Sequence, residues 1–286
     1  MPNPFDYQPI IDREPLVLPG DAKAAFWIGV NTEFFQSGKR ALSFAEFTAE
    51  FDPDPMNVAW REYGSRVGVF RMIEGLADVG APVTGIVNGA VFEEFPQIIR
   101  EATEAGWSWV AHGWDNSTLQ TFLPDDVEPG YIERVTQTIE RATGTRPRGW
   151  LGPVLAQSKN TLDLLADAGY DYNLDWGCDD APFDFNVSNG RLVSVPYSVE
   201  VNDIPAFLYQ HQTPDQFANT IRAHVDQIVT EGGSHPRVLG LGVHPFLVGQ
   251  PARFGAFKKI VRELVERDDV FVTTADAVAD LYLAQN

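Results

Sequence analysis

Cysteine is almost absent: Cys178 is the single one in 286 residues, which excludes an intramolecular disulfide and any metal site built from several thiolates. Such usage suits a reducing cytoplasm. Basic residues are scarce too, 21 Lys and Arg against 40 Asp and Glu, and the formal charge of -19 creates a field that repels phosphates. Nucleic acid and anionic membranes are therefore excluded as partners, and solubility is the plain use of the charge. No apolar run approaches the roughly 18 residues a membrane span needs. The opening MPNPFDYQPIIDREP lacks the basic stretch and apolar core of a secretory signal, so the expectation is a soluble, cytoplasmic protein. Also missing are a GxSxG nucleophile elbow, a phosphate-cradling glycine loop and a dinucleotide fingerprint. Cys178 sits among acids, without the positive surroundings of a reactive thiolate. Hydrolysis by an activated water is the chemistry that remains.

What is present is an ordinary apolar content of 44% arranged in alternating strand and helix patterns. Residues 1–23, rich in proline, read as an extended arm. AAFWIGVNTEFF at 24–35 reads as a strand with Asn31 and Glu33 at its exit, followed by an irregular stretch over 36–65. A helix closing at Gly80, the strand PVTGIVNG, and one helix through residues 90–106 come next, the last with Phe92, Phe95, Ile98, Ile99 and Ala102 on one face. Thr213 and Pro214 open a further helix as N-cap and first helical residue. Strand and helix alternate about seven times, which implies parallel strands covered by helices, in a closed barrel or a doubly wound sheet. No linker divides the chain, so one domain over 24–286 is expected.

A barrel gathers its strand exits into one mouth, and Glu33, His112, Trp150, Asp175 and His244 all lie at predicted exits. Among five histidines, only His112 and His244 end apolar strands. The stretch WSWVAHGWDNS at 107–117 puts an imidazole where the strand stops, then a joint at Gly113 and hydrogen-bonding side chains. The alternative for each histidine is a buried structural imidazole; His224 reads that way, and His211 and His235 have no assigned role. A partly buried Glu33 with a raised pKa would take a proton from water at neutral pH, against the reading of a solvated loop acid. Trp114, Trp150 and Trp176 are candidates for the walls of a pocket for a flat or ring-shaped substrate, or else plain core. Asp179 and Asp180 are turn formers rather than site residues.

The succession of NTE at 31–33, PVTGIVNG at 82–89, AHGWDN at 111–116, TGTRPRGW at 143–150, LDW at 174–176 and GVHP at 242–245 resembles the polysaccharide deacetylase superfamily, the carbohydrate esterases of family four and their relatives. The resemblance spans about residues 24–280 and implies an α/β fold, a distorted seven-stranded (β/α) barrel. Sugar-deacetylating members hold a divalent metal with an aspartate and two histidines of an H-x-x-x-H turn, beside an aspartate base. Here Asn31 stands at the base position, Glu33 at the ligand carboxylate, Asn116 at the second histidine, and WLGP at 150–153 puts leucine at the family's arginine. An amide oxygen is a poor substitute for imidazole on a transition metal. HGW, RPxGW, the Asp pair at 179–180 and HPFLVGQPAR look like the branch of metal-independent allantoinases and cyclic imide hydrolases.

For that branch the expected chemistry is opening of a small cyclic amide, imide or ureide without a cofactor. Glu33, or His112 assisted by it, activates water; His244 polarises the carbonyl or protonates the departing nitrogen; Asn116 and backbone N–H groups stabilise the oxyanion. Asn31, Trp114, Trp150, Asp175 and Trp176 are the expected substrate contacts. Two rivals stand beside this reading: a deacetylase of an N-acetylated sugar with a weakly held divalent metal at Glu33, His112 and Asn116, and an inactive barrel that binds carbohydrate or a partner. The arm and the resemblance favour a homo-oligomer acting on a small molecule.

Overall fold

The computed structural model describes residues 3–39 and 41–285; Met1 and Pro2 of the expected arm lie outside them. Among these, strands β1 (Ala24–Thr32), β2 (Thr84–Val87), β3 (Ser108–Ala111), β4 (Gly149–Trp150), β5 (Tyr172–Asn173), β6 (Phe183–Asp184), β7 (Val193–Ser194), β8 (Arg237–Val243) and β9 (Val270–Thr273) form one sheet ordered β6-β7-β5-β4-β3-β2-β1-β8. All pairings are parallel except β6 with β7. β1 is the spine. It pairs with β8 along one edge; on the other, β9 takes residues 24–27 and β2 takes residues 29–32. The sheet curls into a partly open barrel, with Ser198 donating to the Gly240 carbonyl (2.8 Å) and Trp27 Nε1 to the Pro196 carbonyl (3.1 Å) across the seam. The two strands beyond the expected seven are the short antiparallel β6 and the β9 wedge.

Side chains alternate along each strand, so two packing layers follow. Inside the barrel lie Ala25, Trp27, Ile86, Val110, Leu151, Tyr172 and Leu174, with Leu16, Leu18 and the final helix closing the end away from the strand exits. Outside, Phe26, Ile28, Val30, Val87, Ala111 and Trp150 pack against the helices. These are α1 (Pro55–Tyr63), α2 (Val69–Asp78), α3 (Gly89–Glu94), α4 (Pro96–Glu104), α5 (Glu128–Thr143), α6 (Thr161–Asp167), α7 (Pro214–Glu231) and α8 (Pro251–Val265), while α9 (Ala275–Gln285) is the final helix that closes the barrel. The Thr213 N-cap is present as a full capping box with Gln216. Gly144 closes α5 with φ 74°.

Two boundaries differ from the sequence reading. Residues 36–65 are not wholly irregular: Asp54 caps Asn57 N–H and α1 begins at Pro55, continuing through a wider π-type turn at Gly64–Gly68 into α2. The apolar stripe from 90 to 106 is two helices rather than one. Pro96 has no N–H and disfavours helical backbone at Phe95 (φ -129°, ψ 54°), which ends α3. The arm is mostly without regular structure apart from a 3-10 turn at Ile10–Asp12, and Phe5 packs edge-on against Trp176 and Phe183.

Candidate active site

Register explains why distant residues meet. Thr32 pairs with Val87, Val87 with Ala111, and Ala111 with Trp150. The next row, Glu33, Asn88, His112 and Leu151, therefore faces the barrel mouth from four adjacent strands. Val30 pairs with Val243, so His244 reaches the same mouth from β8.

Glu33 is the hub. Its Oε1 lies 3.5 Å from His112 Nε2 and 3.6 Å from His244 Nε2, with the three side chains only 5, 3 and 4% exposed. Burial by itself pushes the Glu33 carboxyl up, but His244 and then His112 overcome it and bring it down to about 2. This reverses the expectation of a raised Glu33: it is a fixed anion and a poor proton acceptor. Burial opposes charge on His244 as well, yet Asp203 and Glu33 raise it to about 10. Its Nδ1 donates to Asp203 Oδ1 at 2.6 Å, and its backbone N–H donates to Asp203 Oδ2 at 2.7 Å.

The tautomer of His112 follows from its partner. Nδ1 is 2.7 Å from the Leu151 carbonyl, which can only accept, so Nδ1 carries the proton. Nε2 then faces Glu33 Oε1 and has no hydrogen-bond partner among the described residues; it is the one nitrogen of this ring able to take up or release a proton with Nδ1 held by the carbonyl. Asn88 ties the loops together: Oδ1 accepts from Phe34 N–H (2.8 Å), and Nδ2 donates to the His112 carbonyl and to Asn116 Oδ1 (3.1 Å). That chain of fixed donors and acceptors orients Asn116 with its Nδ2 free to donate.

The donor set differs from the one that holds the metal in the sugar-deacetylating members. Asn116 Oδ1 is taken by Asn88, an amide oxygen is a poor substitute for imidazole, and no group of three His, Cys, Asp or Glu suits an ion among the described residues. The residues do not fit that metal.

Other expected contacts fare differently. Asn31 is buried, donating to Tyr197 Oη at 3.1 Å. Gly242 permits this, since a Cβ there would collide with the same hydroxyl. Trp150 is a correction: it belongs to the outward row, is fully buried between Tyr131 and Tyr170, and donates Nε1 to Gln120, so it has no surface for a substrate. Trp114 is another, its ring lying 3.2 Å from the Arg134 guanidinium on α5, within the helical layer. Asp175 and Trp176 line a depression of about 350 Å³ with Gln157 and Thr121, but both Asp175 oxygens accept from within the chain, from Gly152 N–H and Asn173 Nδ2. The aromatic rings beside the histidines are instead Phe246, 5.3 Å from His244, with Trp60 and Phe35 packed edge-on against it.

Sequence reasoning missed Asn88 and Asp203. Asn88 follows β2 as His112 follows β3, a signal that register supplies. Asp203 opens a short helical turn that runs into a π turn at Pro205–Tyr209, just after a bridge between Asn202 and Gly242, and no periodicity marks it.

A parallel half-barrel with a carboxylate between two strand-end imidazoles has the form of the polysaccharide deacetylase (β/α) barrel. Residues 61–173 match the family model described as polysaccharide deacetylase. It is similar to a Schizosaccharomyces pombe protein named "Putative polysaccharide deacetylase", 27% identical over 79% of this chain and 75% of that one. Among solved structures, a probable polysaccharide deacetylase from Pseudomonas aeruginosa superposes with TM-score 0.86 at 23% identity, covering 96% of each chain. Puue allantoinase superposes with TM-score 0.84 at 23% identity over 99% of each. These two show the fold.

Proposed function

We propose that the protein is a hydrolase of carbon–nitrogen bonds other than peptide bonds, acting without a metal on a small cyclic amide, imide or ureide. The observation that carries this reading is the Glu33 carboxylate held between the Nε2 atoms of two imidazoles with different partners on Nδ1, an aspartate for His244 and a backbone carbonyl for His112. The fold shared with Puue allantoinase over nearly the whole chain supports it.

In this mechanism His112 Nε2 takes a proton from water as the water oxygen bonds to the ring carbonyl carbon. The carbonyl electron pair moves onto oxygen, opposite the Nε2–H of His244 and the Nδ2 of Asn116. Collapse breaks the C–N bond, and the nitrogen leaves with the proton His112 received, so one water is added across the bond. Glu33 stabilises both imidazolium forms. Phe35 and Trp60, both half-buried and packed on the buried Phe246, take the place expected of Trp114 and Trp150 as pocket walls.

The test is turnover of a panel of hydantoins, imides and cyclic ureides before and after chelation, beside acetate release from N-acetylglucosamine oligomers. Ring opening that survives chelation is expected. Acetate release that requires added zinc, with no ring opened, favours the deacetylase suggested by the names of the relatives; no turnover at all favours an inactive barrel.

A further inference from the structure

Asp203 backs His244 directly. His112 has no carboxylate on Nδ1, yet one lies a single peptide group away. The Leu151 carbonyl that accepts His112 Nδ1–H at 2.7 Å belongs to the same peptide unit as the Gly152 N–H, which donates to Asp175 Oδ1 at 2.7 Å. We propose that Asp175 is a positioning residue for His112, acting through the Leu151–Gly152 peptide as a hydrogen-bonded relay. An anion on the N–H side of a peptide polarises its carbonyl into a stronger acceptor, and hydrogen bonds in series reinforce one another in a low-dielectric interior.

The surroundings fix every member of this chain. Asn173 Nδ2 donates to Asp175 Oδ2 at 2.8 Å while Asn173 Oδ1 accepts from Asp175 N–H at 2.9 Å, so the carboxylate is clamped from its own strand end. Leu151 N–H continues the pairing with β3 by donating to the Ala111 carbonyl at 2.9 Å. Beyond Gly152 the chain turns through Val154 and Leu155, both with positive φ (53° and 56°), a conformation such residues rarely adopt. Strained turns persist where surrounding bonds over-determine them and are frequent at functional sites. Here the restraint is the Asp175 bond to Gly152, together with Leu155 N–H on the Gly152 carbonyl at 2.8 Å. Each site histidine thus has its own aspartate, one in contact and one across a peptide.

This inference rests on the proposed role of His112 as base, and its test separates the two. The substitution is Asp175→Asn, which keeps the size but puts an NH₂ against either Gly152 N–H or Asn173 Nδ2. Two readouts are taken: steady-state kinetics on whichever ring is opened, and the proton resonance of His112 Nδ1–H, which needs no substrate. The expected result is kcat lowered roughly ten- to hundredfold with KM nearly unchanged, as for other orienting partners one shell out, and the Nδ1–H resonance moved upfield or lost to exchange. An unmoved resonance in a folded Asp175→Asn protein overturns the relay, whatever the kinetics. A moved resonance in a protein whose wild type opens no ring upholds the relay and sinks the base assignment alone. Should Asp175→Asn fail to fold, Asp175→Glu, with its charge on a longer arm, must also move the resonance, and an unmoved one overturns the proposal.

Discussion

Replacing Asp203 by asparagine is the sharpest probe of the site. His244 is raised from 6.5 to about 10 against the opposition of burial, and Asp203 comes before Glu33 among the causes. A rise from 6.5 to about 10 is a net preference for the cation of about 5 kcal/mol. Asparagine can satisfy the His244 backbone N–H with its oxygen only by turning its NH₂ toward Nδ1, which forces the proton off that nitrogen. The ring then becomes neutral at pH 7 and takes the other tautomer. The same exchange behind another catalytic histidine costs about four decades in kcat, and a loss of that order is expected here. Carbon-13 titration of the ring gives a second readout that needs no substrate: a midpoint near 10 in the wild type, and a large downward displacement in Asp203→Asn. If the variant titrates like the wild type and keeps kcat within about threefold, the cationic assignment is wrong.

His112→Ala lowers kcat by roughly two to four decades if it is the base, measured on the same ring substrate with folding checked by circular dichroism. Trp150→Phe leaves kcat and KM within about twofold but loses about 2–4 kcal/mol in chemical denaturation, because it opens a cavity at a fully buried site and leaves Gln120 Oε1 without its donor; a changed KM would return Trp150 to the substrate wall. Gly68→Ala pushes a methyl into the Pro245 carbonyl next to His244, and destabilisation of about 1–3 kcal/mol with reduced kcat is expected from thermal melts and kinetics. For His244 the folded protein keeps a proton that the unfolded chain gives up between pH 6.5 and about 10, so its contribution is full below 6.5 and Tm falls as pH rises through that window. For Glu33 the sign is opposite: its contribution is present above 4.5 and is lost as pH falls toward about 2. A Tm that rises between pH 7 and 10 would falsify the first.

The strand exits were legible because an apolar run ending on a polar residue is a local pattern, and Glu33, His112 and His244 needed nothing more. Their convergence rested on barrel closure, which alternation of strand and helix implied. Trp150 was misplaced because in a strand of two residues no alternation tells inward from outward; only pairing with Ala111 does. Burial misled for Glu33, since a glutamate's direction of shift depends on neighbours contributed by β3 and β8. Asp203 was invisible for a related reason: its role is defined entirely by a strand 41 positions further along.

The way β1 is gripped bears on which changes the chain can absorb. With β9 matched to its first half, β2 to its second and β8 along the opposite edge, its alignment is fixed three times over. A single inserted or deleted residue within 24–32 would rotate everything after it by half a turn and aim the Glu33 carboxylate at the helices. Diversification among barrels of this kind is thus channelled into the connecting segments, where length is free, while the central strand must keep its residue count.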